Sequence, residues 1–219
     1  MNVKKYILFD LDGTVTDPML GITKSVQYAL NKFEININNL QELTKFIGPP
    51  LKDSFMDYYN FTEEEAQKAI SYYREYYLDK GIYENFVYEK FENILISLRE
   101  ANKTIIIATT KPTVFAEKIL EHFKLKTYFD FVAGSNLDGS RSKKADVIRY
   151  ALDQNKIENL SEVIMIGDRK HDIIGAKEVG IDSVGVLYGY GSFEELSQNG
   201  ADYIVKDVEE LGNLLGNFY

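Results

Sequence analysis

The sequence predicts an α/β fold, a doubly wound and mainly parallel Rossmann-like sheet with a small α-helical cap domain. Short apolar runs rich in β-branched residues alternate with helical patterns through most of the 219 residues. Unalternating apolar runs of this kind are typical of parallel strands that helices cover on both faces. Between residues 16 and 83 the strand-like runs stop while helical periodicity continues, which predicts a helical insertion after the first strand.

Six short apolar runs are predicted to form the strands, because each ends in small or polar residues. The runs are 6–10, 104–109, 129–134, 163–168, 183–187 and a short final one at 201–205. Amphipathic patterns between them predict helices at 88–101, 112–123, 143–156 and 172–179. This alternation of strand and helix indicates a parallel sheet.

The insertion is predicted to contain helical segments at 21–34, 39–46, 50–59 and 62–80. The last begins with Thr62 and Glu65, whose spacing lets each side chain cap a backbone N–H of the first turn. Two prolines in "IGPP" (47–50) separate the second segment from the third, since proline cannot continue a helix that enters it. We therefore predict a core domain of residues 1–15 and 84–219 and a cap domain of residues 16–83.

The composition limits the classes of partner and location. The formal net charge of −9 argues against a surface for nucleic acid or for an anionic membrane. The chain has no cysteine, so disulfides and thiolate metal sites are excluded. The first hydrophobic run is too short for a signal sequence, and no segment is long enough to cross a bilayer. We predict a cytoplasmic protein, either a monomer or a homodimer.

Two segments with glycine admit more than one interpretation. "FIGPPL" (46–51) is either a turn between helices or a loop that contributes to substrate specificity. "LYGYGS" (187–192) lacks the spacing and the lysine of a nucleotide-binding P-loop, so a tight turn is the better interpretation.

Polar side chains that can bind phosphate or metal follow three of the predicted strands. Ligands of parallel sheets bind outside the carboxyl ends of the strands, so residues at these ends should meet at one edge. The strand-end residues are Asp10 with Asp12, Thr109 and Asp168, and Lys143, Lys144 and Asp172 open the helices that follow.

Carboxylates, a hydroxyl and a lysine at one edge suit phosphoryl transfer with Mg²⁺. Mg²⁺ prefers hard oxygen ligands, which Asp10, the backbone carbonyl of Asp12 and Asp168 would supply. The charge of the ion would also stabilise the ionised forms of neighbouring carboxylates. A carboxylate so held can attack phosphorus and form an aspartyl-phosphate, while Thr109 and a lysine bind the transferring oxygens.

Four segments resemble, in order, the four motifs of haloacid dehalogenase superfamily phosphatases. They are "DLDGTVTD" (10–17), "IIIATTKP" (105–112), the lysine of "SKKADVI" (142–148) and "IGDRKHD" (166–172). With its helical cap inserted after the first motif, the whole chain is most similar to the phosphoglycolate-phosphatase-like branch. The resemblance implies a Mg²⁺-dependent hydrolase of a small phosphorylated metabolite, with phosphoglycolate and nucleoside 5'-monophosphates as the first substrates to test.

The resemblance also implies a role for each acidic residue. Asp10 would be the nucleophile, and Asp12 would protonate the leaving oxygen and later activate the attacking water. The metal site would consist of Asp10, Asp12 and Asp168. Asp172 would hold the metal directly or through water, although an aspartate at this place can also cap a helix.

The remaining motif residues would bind phosphate. Thr109 would donate its hydroxyl, and the backbone N–H of Thr110 would lie nearby. Of the two adjacent lysines, Lys144 is favoured over Lys143 because it stands directly before the apolar-periodic "ADVI". Either lysine would sit at a helix N-terminus, where backbone N–H groups also favour phosphate.

Three other functions remain open on the sequence alone. A phosphohexose mutase of the same superfamily would share all four motifs. A phospho-accepting receiver domain would place its acceptor aspartate on a later strand, before the threonine and the lysine. A catalytically silent binding protein on the same fold is the third alternative, because a fold does not guarantee a function.

Overall fold

The computed structural model describes residues 3–218, which divide into two compact units. The first unit contains the chain up to Asp17 and from Val87 onward, and the second contains Pro18–Phe86. A strand of two residues lies at each point where the chain passes from one unit to the other. The predicted domain boundaries, after residues 15 and 83, lie close to these two positions and stay a prediction, since strands this short leave no periodic signal in a sequence. Among the described residues, no helix is both long and apolar enough to cross a membrane.

The first unit is built on a six-stranded parallel sheet. In chain order, the strands of the described chain are Tyr6–Phe9 (β1), Thr16–Asp17 (β2), Phe86–Val87 (β3), Thr104–Pro112 (β4), Phe131–Ser135 (β5), Val163–Gly167 (β6), Asp182–Val186 (β7) and Tyr203–Val205 (β8). The strand order of the sheet is β5-β4-β1-β6-β7-β8. The first strand is therefore central, and its last residue, Phe9, lies beside Ile107 of β4 and Ile166 of β6.

Helices cover this sheet and form most of the second unit. In chain order they are Met19–Asn31 (α1), Leu51–Tyr59 (α2), Glu63–Tyr76 (α3), Phe91–Glu100 (α4), Thr113–His122 (α5), Lys144–Gln154 (α6), Lys170–Val179 (α7), Phe193–Gln198 (α8) and Val208–Gly216 (α9). Short 3₁₀ turns occupy Leu40–Phe46, Lys126–Tyr128 and Leu160–Glu162, and a π-helical turn occupies Tyr77–Gly81. The predicted α/β fold class is confirmed.

Both faces of the sheet are buried. On one face Leu8, Ile106 and Met165 pack in a cluster with Ile148 of α6 and Ala176 of α7. On the other, the ring of Phe9 meets Phe91 of α4 edge to face, with 5.3 Å between ring centroids. Successive residues of a strand point to opposite faces, so an unbroken apolar run is what a strand covered by helices on both sides requires.

Three helices of the first unit differ from the sequence prediction. The helix predicted to open at 172 begins at Lys170, because the Asp172 N–H already donates to the Arg169 carbonyl at 3.0 Å and closes the first turn. The helices α8 and α9 were not predicted. The former has six residues with one buried side chain, and the latter contains two glycines, which lower its helix propensity.

The second unit is helical, with an aromatic core. The predicted capping box is present: the Thr62 N–H donates to Glu65 Oε2 at 2.8 Å, and the Glu65 N–H donates to Thr62 Oγ1 at 3.3 Å. The rings of Phe55 and Phe61 stack with centroids 5.8 Å apart. The segment 46–51 is a turn between the 3₁₀ segment and α2, with Phe46 buried, and its part in specificity stays a prediction.

The two ends of the second unit meet each other. The Gly21 N–H donates to the Glu84 carbonyl at 2.9 Å. A Cβ atom at Gly21 would lie only 1.9 Å from the Gly81 carbonyl oxygen, so only glycine allows this approach. The segment that enters the unit and the segment that leaves it are thus joined directly.

Candidate functional site

The carboxyl ends of the three central strands bring the predicted strand-end residues together. Asp10 follows β1, and its N–H donates to the Ile166 carbonyl of β6 at 2.8 Å. Thr109 lies within β4, and Asp168 follows β6 directly. Because the strands are parallel and in register, these side chains lie at one edge of the sheet.

Three carboxylates form a buried cluster at this edge. One oxygen from each of Asp10, Asp168 and Asp172 lies within 4.8 Å of the others. These residues are only 7%, 1% and 1% exposed, respectively. Carboxylates this close and this poorly solvated need compensating positive charge.

Lys144 supplies part of that charge. Its ammonium lies 2.9 Å from Asp10 Oδ2 and 2.7 Å from Asp172 Oδ1, and it donates to the Ala108 carbonyl at 2.9 Å. The stem crosses Gly175 of α7, where a Cβ atom would lie 2.7 Å from Lys144 Cγ. Lys143, the neighbouring candidate, is exposed at the N-cap of α6. Of the two lysines, the structure brings only Lys144 into the cluster.

A second lysine, which was not predicted to belong to the site, pairs with Asp12. Lys111 Nζ lies 2.8 Å from Asp12 Oδ2, and the exposed fractions of the two side chains are 7% and 15%. Lys111 follows Thr109 by two residues near the end of β4. The signal was present as the lysine of "TTKP" (109–112), but a cation after a strand does not reveal which carboxylate it contacts.

Two of the three threonines of β4, Thr109 and Thr110, lie just before Lys111 near the end of the strand. Thr109 is buried, and its Oγ1 accepts a hydrogen bond of 3.2 Å from the Lys111 N–H. That bond fixes the position of the hydroxyl at the sheet edge. Thr110 is half-buried on the same strand.

Asp172 has hydrogen-bonding or charged partners on both carboxylate oxygens. Oδ1 pairs with Lys144, and Oδ2 accepts from the Arg169 N–H at 3.1 Å at the start of α7. Asp172 therefore accepts a backbone N–H at the start of α7 and also pairs with Lys144, while its predicted binding of a metal, directly or through water, stays a prediction.

Burial raises the pKa of the site carboxyls. It is the largest cause for Asp12, for Asp168, whose pKa lies well above the usual range, and for Asp172, whose pKa rises to about 6. The charges of Asp172 and Asp10 raise the pKa of Asp168 further, while Lys111 lowers that of Asp12 and Lys144 lowers that of Asp172. Two lysines thus compensate four carboxylates only in part.

The site fits a divalent cation. Within residues 3–218, Asp12 Oδ1 and Asp168 Oδ1 are buried oxygens without a hydrogen-bond partner. Buried carboxylate oxygens without partners cost free energy unless a cation or a proton satisfies them. Oxygen ligands in this arrangement suit a hard metal ion.

The pKa of Asp172 gives a testable pH dependence. Its folded value of about 6 lies above the ordinary 3.8, so the folded chain holds this proton more tightly than the unfolded chain. The resulting stabilisation is complete below the ordinary value and is lost as the pH rises through about 6. Without metal, we expect this group alone to lower the free energy of unfolding by up to about 3 kcal/mol between about pH 4 and pH 7.

Mg²⁺ should reverse this trend because it favours the ionised carboxylates. We expect the rise in melting temperature on adding Mg²⁺, relative to EDTA, to be larger at pH 7 than at pH 5. Thermal unfolding followed by circular dichroism measures it. An equal rise at both pH values would contradict the prediction.

The turn after β7 also contacts the site, a contact that was not predicted from the sequence. The predicted turn is present, and within the segment 187–192 the Tyr190 N–H donates to Asp168 Oδ2 at 2.7 Å. The Tyr188 hydroxyl donates to the Thr14 carbonyl at 3.0 Å. The glycines of "LYGYGS" were the available signal, because they permit close backbone approach.

Known proteins are similar to this chain in fold and in sequence. A sequence model of the family described as haloacid dehalogenase-like hydrolase matches residues 7–186. A solved structure of a predicted phosphatase from Clostridium acetobutylicum is 53% identical, with a TM-score of 0.95 over 99% of this chain and 100% of that one. A 5'-nucleotidase from Pseudomonas aeruginosa is 43% identical over 95% of this chain and 94% of its own length.

Two further relatives have other names. A Mycobacterium tuberculosis protein named tyrosine-protein kinase PtkA is 35% identical over 96% of this chain and 72% of its own length. A phosphoglycolate phosphatase from Vibrio parahaemolyticus is 26% identical over 94% of both chains. The names of these relatives all describe reactions of phosphate groups, but they describe different substrates.

Proposed function

Since this chain belongs to the haloacid dehalogenase-like hydrolases and is a phosphatase of phosphate monoesters, we propose that it hydrolyses a small phosphorylated metabolite with Mg²⁺ through an aspartyl-phosphate. The observation that carries the proposal is the buried cluster of Asp10, Asp168 and Asp172 at the end of the central strand. A nucleophile beside a cation site at a sheet edge is what phosphoryl transfer requires.

Asp10 is the nucleophile of the proposed reaction. The Leu11 N–H donates to its Oδ1 at 2.7 Å, and Lys144 holds its Oδ2 at 2.9 Å. These contacts fix the carboxylate before substrate binds, which removes an ordering cost from the reaction. An oxygen of Asp10 forms a bond to phosphorus as the bond from phosphorus to the ester oxygen breaks.

Asp12 handles the protons of both steps. It first gives a proton to the leaving ester oxygen, which departs as an alcohol. It then takes a proton from the water that attacks the aspartyl-phosphate, and the bond from phosphorus to Asp10 breaks to release inorganic phosphate. Burial raises the pKa of Asp12 and favours the protonated form that the first step needs, while Lys111 opposes that shift.

The remaining residues hold the cation and the phosphoryl oxygens. Mg²⁺ would be held by Asp10, by Asp168 and by the carbonyl oxygen of Asp12, and when bound it would neutralise charge on the transferring group. Because both oxygens of Asp172 already have partners, we expect that residue to hold the ion through water. The phosphoryl oxygens would be bound by Thr109, the N–H of Thr110 and Lys144.

A panel of phosphate esters tests the proposal. We expect inorganic phosphate release from an aryl phosphate and, more efficiently, from phosphoglycolate or a nucleoside 5'-monophosphate. EDTA should abolish release and Mg²⁺ should restore it, because four carboxylates with two lysines leave the site short of positive charge. Absence of release from the whole panel with Mg²⁺ would contradict the proposal.

Two controls in the same panel separate other kinds of phosphoryl transfer. A hexose phosphate incubated with and without a sugar bisphosphate distinguishes a mutase, which returns the phosphoryl group to sugar, from a hydrolase, which releases it to water. ATP with a tyrosine-containing peptide tests the activity that the PtkA name describes for that relative. Phosphate release without the bisphosphate and no peptide phosphorylation are the expected results.

A further inference from the structure

We propose that Tyr190 is a positioning residue for the metal site: its backbone N–H orients the Asp168 carboxylate, and its hydroxyl, bound by Asp17, keeps that N–H in place. The inference rests on the proposed function, because it treats Asp168 as a ligand of Mg²⁺. It assigns a function to the segment 188–191, which the reaction described above does not use.

The contact at Asp168 distinguishes its two oxygens. The Tyr190 N–H donates to Asp168 Oδ2 at 2.7 Å, whereas Oδ1 is buried without a hydrogen-bond partner in the described chain. Asp168 is only 1% exposed, so water cannot exchange freely with either oxygen. One oxygen is thus held by the backbone, and the other is left to a cation. Hydrogen bonds of this type orient a metal ligand and tune its affinity.

The backbone of the segment lies directly against Asp168. A Cβ atom at Gly189 would lie 2.3 Å from the Gly13 carbonyl oxygen and 2.4 Å from Asp168 Cβ. A Cβ atom at Gly191 would lie 1.9 Å from the Asp168 carbonyl oxygen. The two glycines let the chain approach so closely that the intervening N–H reaches the carboxylate.

The Tyr190 side chain holds the segment in place through a second contact. Its hydroxyl donates to Asp17 Oδ1, in the strand β2 that follows the Gly13 turn. Burial and the charge of Asp17 raise the pKa of the phenol, so the hydroxyl keeps its proton and remains a donor. Tyr190 therefore links two parts of the chain: its main chain binds Asp168 and its side chain binds Asp17.

Tyr188 provides a matched comparison in the same segment. Its hydroxyl donates to the Thr14 carbonyl at 3.0 Å, and its ring meets Tyr88 edge to face at 4.8 Å. It is a half-buried tyrosine whose hydroxyl anchors the segment to Thr14 instead of Asp17. A change at Tyr188 thus tests general loosening, and a change at Tyr190 tests the specific link.

The experiment measures Mg²⁺ binding to the substrate-free protein by isothermal titration calorimetry. Tyr190→Phe keeps the ring and the N–H but loses the hydroxyl, and we expect its Kd for Mg²⁺ to rise about tenfold, at the low end of such effects. Asp17→Ala should give the same loss, and the double variant should lose no more than either single variant. Asp17→Asn keeps an acceptor and should stay within about twofold of the wild type.

Thermal unfolding in EDTA confirms that each variant is folded, and the Asp17 pair carries the test if Tyr190→Phe fails to fold. An unchanged Kd in Tyr190→Phe would overturn the inference. An equal loss in Tyr188→Phe, or additive losses in the Tyr190 and Asp17 double variant, would also overturn it. A wild type that does not bind Mg²⁺ would instead overturn the metal-dependent function on which the inference rests, so the two failures are distinguishable.

Discussion

Asp10→Asn is expected to abolish phosphate release, with a loss in kcat of at least about 10³-fold. The amide has nearly the same size as the carboxylate but no negative charge, so it cannot form the bond to phosphorus. Lys144 keeps its second carboxylate partner, Asp172, and the buried ammonium is therefore not left alone. Phosphate release from an aryl phosphate at saturating Mg²⁺ measures the effect.

The matched control is Asp153→Asn, the same chemical change on an exposed residue of α6. Its kcat should equal that of the wild type. The melting temperature of Asp10→Asn in EDTA should stay close to that of the wild type, which excludes unfolding as the cause. Retained Mg²⁺-dependent turnover in folded Asp10→Asn would show that another group attacks phosphorus.

Lys144→Met is expected to affect both stability and catalysis. The substitution keeps an apolar stem but removes the ammonium that pairs with two buried carboxylates. Removing one partner of a buried ion pair typically costs about 3–5 kcal/mol, because the remaining charge has no compensation. We expect that loss in the free energy of unfolding in EDTA, measured with urea, and a loss of at least about 10²-fold in kcat.

Lys143→Met is the control, since it removes the adjacent but exposed ammonium. It should change the free energy of unfolding by less than about 0.5 kcal/mol. Mg²⁺ should restore part of the stability of Lys144→Met, because the ion neutralises the same carboxylates. Equal effects of the two substitutions would contradict the assignment of Lys144 to the cluster.

Much of the core could be predicted because its strands carry an unusual signal. A parallel strand buried on both faces must be apolar at every position, so runs such as "YILF" and "VIMI" are visible without any structure. Because these strands are parallel, Asp10 and Asp168 can be placed at one edge of the sheet before any contact between them is known. The helix α9 was not predicted because its two glycines have a low helix propensity, although Leu211 and Leu215 follow helical spacing.

The contacts of the site were harder to predict than its members. Because Asp10 and Asp12 lie close together in the sequence, a cation was expected to compensate their charges, and that cation was expected to be a metal ion. The structure adds a separate lysine for each, Lys144 for Asp10 and Lys111 for Asp12. Which carboxylate a lysine reaches depends on side-chain paths across the sheet edge, and a linear pattern does not contain that information.

Tyr190 illustrates the same limit over a longer distance in the chain. Its two partners, Asp17 and Asp168, lie in two different motifs, and the segment itself reads only as a glycine-rich turn. The glycines indicated that backbone would approach something closely. They did not indicate what it would approach.

Because its two ends are joined, the second unit is a self-contained insertion in the chain. Because Gly21 and Glu84 hydrogen-bond across its two ends, the 18–86 segment is a closed loop that interrupts the rest of the chain at one place. Its length can change during evolution without altering the pairing of β1 with β4. The segment can thus be replaced as one contiguous stretch of gene, while Asp10 and Asp168 keep their positions at the sheet edge.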